Sequence, residues 1–154
     1  MGCFQVLEDH EGITAAISHW FSALGIRPAP HSSTHRPALL VVSPRAALRK
    51  SIKATCRTIL LPGDTPLAEL DLQAASAVSY GAGPRNTITI SSQTGDRLWI
   101  ALQRELITVQ GCVVERQEFP WRLPYGASPY SALTVAGALL LLGVSPEQLS
   151  ASHQ

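Results

Sequence analysis

Ala38-Leu39-Leu40-Val41-Val42 is an unbroken apolar run with no polar residue to mark a solvent face. A run this short and uniform suits a strand of a parallel sheet, because crossover helices then bury both of its sides. Arg57-Thr58-Ile59-Leu60-Leu61 reads as a second such strand, Ala77-Val78-Ser79-Tyr80 as another, and Cys3 to Leu7 as a first. Helical signals fall between them. Ile13, Ala16, Ile17, Trp20, Phe21 and Leu24 recur at steps of three and four, and Gly25 and Pro28 then stop the helix. Arg27 to Pro37 is polar and proline-containing, hence a loop. Ser43-Pro44 has the form of an N-cap followed by a first-turn proline, and predicts a helix bearing Arg45, Arg49, Lys50 and Lys53. Pro66 to Ala75 predicts a short helix. Alternating strands and helices imply an α/β fold: a mainly parallel sheet of about four strands, flanked by helices.

Beyond Tyr80 the rhythm changes. Thr87 to Ser92 and Leu98 to Gln103 flank Gln93-Thr94-Gly95-Asp96 as in a hairpin. Leu106 to Val109 and Cys112 to Phe119 flank Gln110-Gly111 in the same way. This predicts a small antiparallel subsheet over about 86–119, inside one domain of residues 1–150, with 151–154 as a tail. An apolar helix from Tyr130 to Leu142 follows, capped by Gly143, and Ser145-Pro146-Glu147 opens a last short helix.

The 154 residues suit a single domain with its own core. Twelve Lys and Arg against eleven Asp and Glu leave a net charge of +1, so no global field favours nucleic acid or a membrane surface. The N-terminus lacks a basic segment before an apolar one, so it does not read as a secretory signal. Ala132 to Val144 is shorter than the roughly 20 residues that span a bilayer. Cys3, Cys56 and Cys112 are scattered and form no CxxC pair, which reads as small buried thiols in a cytoplasmic protein.

Three segments, in order, carry a family likeness. Gly12-Ile13-Thr14 through Leu24-Gly25-Ile26-Arg27-Pro28 resembles a helix that follows a P-loop. Val78-Ser79-Tyr80-Gly81 resembles a strand end that precedes a small sheet. Arg122-Leu123-Pro124, Tyr130-Ser131-Ala132-Leu133 and Ala138 through Leu149 resemble a closing helix and its cap. Together they resemble the central, ATP-binding domain of the Mur ligases, which add amino acids to peptidoglycan precursors. The resemblance implies the fold, a P-loop or Rossmann-like sheet of the kind in that central domain. It also implies that ATP and magnesium binding are lost, because the loop ahead of the first helix reads Glu8-Asp9-His10-Glu11-Gly12-Ile13-Thr14. Ile13 stands where the family has its phosphate-binding lysine, and three acids crowd a helix N-terminus that would otherwise welcome phosphate. Ala127, Ser128 and Ser131 stand where the family's His and Asn residues approach the nucleotide. The stretch between the first helix and the Tyr80-Gly81 strand is much shorter than in the ligases, and that stretch brings the family's magnesium ligands. The resemblance further leads to the expectation of a chain without the family's separate substrate-binding and C-terminal domains.

The expected function is therefore a non-catalytic Mur-ligase-like domain with no cofactor, linked to peptidoglycan precursor metabolism. It would bind a protein partner or a phosphate-bearing ligand. The rival reading is a small ligand-binding protein or enzyme, or one subunit of a two-chain ligase. It would use a crevice at the strand C-termini lined by Asp9, His10, Thr14, Ser43 and Asp64. Arg45, Arg49 and Lys53, at i, i+4 and i+8, form a candidate interaction stripe on their helix, with a solvated outer face as the plainer explanation. His31 and His35 have metal-ligand spacing, but the prolines around them favour a loop over a shared metal site. Glu8, Asp9, His10 and Glu11 could hold a cation or simply form a polar loop. No GxSxG or Cys–His signature marks a nucleophile, and no catalytic residue is assigned.

Overall fold

The structure, a computed structural model, describes residues 3–26, 37–48, 52–64, 70–123 and 126–151, with the backbone alone at 52–54 and 70–73. Strands β1 (Phe4–Leu7), β2 (Leu39–Val42), β3 (Ile52–Pro62), β4 (Leu70–Tyr80) and β5 (Ile88–Thr94) run parallel. β6 (Arg97–Leu102) turns back on β5, and β9 (Gln117–Arg122) turns back on β6. Together they make one seven-stranded sheet in the order β1-β2-β3-β4-β5-β6-β9. Between β6 and β9 the chain forms a separate two-stranded hairpin of β7 (Leu106–Ile107) and β8 (Val113–Val114). The chain is thus α/β, with a mostly parallel sheet flanked by helices and a small antiparallel sheet beside it.

Helix α1 (Ile13–Ala23) buries Ile13, Ile17 and Phe21, four residues apart, against the sheet. It ends in a Schellman turn. Gly25, at φ 70°, donates to the Ser22 carbonyl at 3.1 Å, and Ile26 donates to Phe21 at 2.8 Å. Helix α2 (Pro129–Leu141) has Pro129 in its first turn, and its Ser128 cap accepts from the Ser131 amide at 3.1 Å. Every residue from Ala132 to Leu141 is buried, which explains why this helix is apolar on all sides. Gly137 lets α2 approach the sheet closely: a Cβ there would lie 3.0 Å from Ile88 and 3.1 Å from Leu60. Helix α3 (Pro146–Ala151) starts with a reciprocal cap between Ser145 and Gln148, with bonds of 2.9 and 3.1 Å.

The strand order does not reverse, and α1 and α2 pack together on one face over Leu39, Val41, Leu60, Val78 and Ile88. On the other face Leu40, Val42 and Ile59 pack with Ala46, Ala47 and Cys56. The sheet curls around α1. Phe21 lies 6.1 Å from Phe4 on one edge strand, and Trp20 meets Trp121 of the opposite edge strand edge-to-face at 5.6 Å.

Several expected elements differ. After Ser43-Pro44 the chain makes a single 3-10 turn, Ala46–Leu48, and Lys53 belongs to β3, paired in register with Asp71. The helical stripe of Arg45, Arg49 and Lys53 is therefore not formed. Arg45 lies in the turn and Arg49 lies outside the described residues. The β-branched Ile52, Thr55, Thr58 and Ile59 favour a strand, and pairing with β2 and β4 decides the matter. The helix expected over Pro66 to Ala75 is also overturned: from Leu70 onward the chain is β4. The strand expected from Cys112 to Phe119 divides between β8 and β9, and β9 runs on through Pro120 to Arg122. β6 and β9 continue the main sheet antiparallel beyond β5, and among the described strands β7 and β8 stand apart from it.

A candidate ligand crevice at the strand ends

The C-termini of the parallel strands lie together, and α1 starts there. The first amides of a helix have no partner within it and act as an anion site. In this chain Glu8 supplies the anion. Its carboxylate accepts from the Ile13 amide at 2.9 Å, the Thr14 amide at 2.8 Å and the Thr14 hydroxyl at 2.5 Å. Burial pulls the Glu8 pKa up, but the Thr14 hydroxyl and the amides of Thr14, Ile13 and Glu11 outweigh it, and the group ends below its ordinary value. Gly12, at φ 72°, makes the turn into the helix.

Glu11 joins β1 to β2. It accepts from the Asp9 amide at 3.1 Å, from the Arg45 amide at 3.3 Å and from the Ser43 hydroxyl. Ser43 is fully buried and accepts in turn from the Ala46 amide at 3.0 Å, which starts the 3-10 turn. Tyr80, at the end of β4, lies beside these groups. Its hydroxyl donates to the Val42 carbonyl at 2.7 Å, and it is close to Thr134 of α2 and within the field of Glu11. Burial, the largest influence, holds its pKa well above the ordinary tyrosine value.

Asp64 builds a second cluster after β3. Its carboxylate accepts from Ala82 at 2.5 Å, Gly83 at 3.1 Å and the Asn86 side-chain amide at 2.8 Å. Burial raises its pKa, but the bonds from Asn86, Gly83 and Ala82 carry it net downward. Glycine is required around it. A Cβ on Gly83 would lie 2.7 Å from Asp64 Oδ1, and one on Gly63 would strike Asn86.

Of the five residues expected to line the crevice, Thr14 and Ser43 are joined to its carboxylates, and Asp64 forms its own cluster nearer β5. Asp9 contributes its amide to Glu11. His10 is exposed, at φ 54°, and makes the turn between β1 and α1. The groups that organise the site are Glu8 and Glu11, together with Tyr80 and Asn86, which the sequence did not single out. Among the described residues no three His, Cys, Asp or Glu side chains come together as a metal set. His31 and His35 lie outside the described residues. None of the helices described is long and apolar enough to cross a membrane.

The start of α1 is already occupied by the chain's own groups. Glu8 already holds the amides that a phosphate would need. The Ile13 side chain is packed into the core at 1% exposure. No protein-family model matches the chain, and no curated protein matches its sequence.

Proposed function

We propose that the chain is a Mur-ligase-like domain that no longer turns over nucleotide and acts by binding a protein partner or a phosphate-bearing ligand, in connection with peptidoglycan precursor metabolism. One observation carries this reading: the Glu8 carboxylate sits on the first amides of α1. An anionic phosphate there would have to displace a bonded carboxylate and then face Glu11 close by. The family likeness supplies the link to peptidoglycan, and the α/β architecture is compatible with it.

The test is ATP turnover by the purified chain with magnesium, together with calorimetric titration of ATP–magnesium. Neither turnover above background nor binding heat is expected, since phosphoryl transfer relies on a phosphate-binding lysine and a metal site. Turnover that disappears on changing Asp9 or His10 would overturn the proposal in favour of an enzyme using this crevice.

A further inference from the structure

A groove of about 480 Å³ opens at the opposite pole of the molecule, between the β7–β8 hairpin and the turn from α2 to α3. That volume is within the roughly 300–1,000 Å³ of ordinary ligand sites. The position follows from the direction of α2. Thr134 lies beside Tyr80 at the strand C-termini, Gly137 is over Leu60, and Leu141 meets the hairpin. Two bonds fix the hairpin to the end of α2. The Val109 amide donates to the Leu141 carbonyl at 2.9 Å, and the Gln110 side chain donates to the Leu142 carbonyl at 3.1 Å. The groove is thus a built feature of two elements tied to each other.

Its charged lining is acidic. Glu115 enters from the hairpin side and Glu147 from the first turn of α3, and among the described residues no Lys, Arg or His lines the groove. Neither carboxylate makes an ion pair among the described residues. The accessible apolar lining comes from the hairpin side, from Val113 and the half-buried Val114, while Leu142 and Val144 lie buried beneath the groove floor. The apolar surface extends past the rim. Val113 and its cross-strand partner Ile107 are each 57% exposed.

We propose that this groove binds a short peptide segment carrying lysine or arginine next to an aliphatic side chain. The cationic head sits between Glu115 and Glu147, and the aliphatic side chain lies on Val113. A segment of chain fits better than a free amine because the apolar strip runs on to Ile107, outside the groove.

The experiment is an NMR titration of the whole chain with the peptide acetyl-Leu-Lys-Leu-Lys-amide, with acetyl-Leu-Glu-Leu-Glu-amide as control. The lysine peptide is expected to shift the amides of 112–117 and 142–147, and to slow alkylation of the exposed Cys112 by iodoacetamide. The double variant Glu115→Gln, Glu147→Gln is expected to bind it about tenfold more weakly, and the acidic peptide is expected not to bind. Equal binding of the acidic peptide, unchanged affinity in the double variant, or shifts confined to the crevice around Glu8 would each overturn the proposal. Butylamine binding as tightly as the peptide would overturn the assignment to a peptide.

Discussion

The Glu8 carboxylate and the Thr14 hydroxyl stand 2.5 Å apart at the first turn of α1, so a side chain from the end of β1 closes the helix that follows it. The loop between them is held in place by its own acids, with Glu8 turned to the helix and Glu11 turned to Ser43.

This arrangement gives stability a defined pH dependence. The Glu8 carboxyl lies below its ordinary value of 4.5 in the folded chain and returns to it on unfolding. The folded state therefore binds this proton less tightly. The contribution is complete above the unfolded value and is lost as pH falls through the lower folded one. Asp64 acts in the same direction, from an ordinary value of 3.8. Glu8→Ala should lower stability near neutral pH by about 1 kcal/mol, the usual effect of losing a cap, and should flatten the acid limb of a plot of Tm against pH. An unaltered acid limb, read by circular dichroism, would count against the cap.

The contact between α2 and the sheet predicts two further variants. Gly137→Leu would drive a large side chain into Leu60 and Ile88, and should cost about 1–3 kcal/mol or more in urea unfolding. Leu140→Asp places a carboxylate at a position with 0% exposure and should unfold the domain outright. A Leu140→Asp protein with the parent's melting temperature would contradict the burial of α2.

Thiol chemistry gives an independent check of the burial pattern. Cys112 is exposed, Cys3 is partly covered and Cys56 is buried, and burial pushes the Cys56 thiol pKa up. Since the thiolate is the reactive form, a disulfide reagent should modify Cys112 first and reach Cys56 only as the protein unfolds. Early modification of Cys56, read by mass spectrometry of peptides, would mean that the face carrying Leu40 and Ile59 is open.

The sequence was most informative where one strand or one helix face decides the outcome. Leu39–Val42 and the α1 positions Ile13, Ile17 and Phe21 could be placed from spacing alone. It was least informative where pairing overrules local preference. Leu70–Ala77 contains good helix formers such as Leu and Ala, yet ten of the positions of β4 pair in register with β3. Lys53 was drawn into a helix for the same reason. At the site, the acids of the first loop were legible as a cluster beside the start of α1. Which of them would reach the helix depended on a turn through His10 and Gly12, both at positive φ. Tyr80 and Asn86 were invisible because their partners, Val42 and Asp64, lie 38 and 22 residues away along the chain.

Helix α2 completes the larger core cluster, yet it follows all nine of the described strands. During synthesis the whole sheet leaves the ribosome before the helix that covers it. Until then Leu60, Val78, Ile88 and Ile100 have no lid from α2, and the growing chain is exposed to aggregation for the time it takes to add residues 123–141. Helpers that shield apolar surface on nascent chains would act in that interval, and slowing translation just ahead of Pro129 should increase the chain's dependence on them.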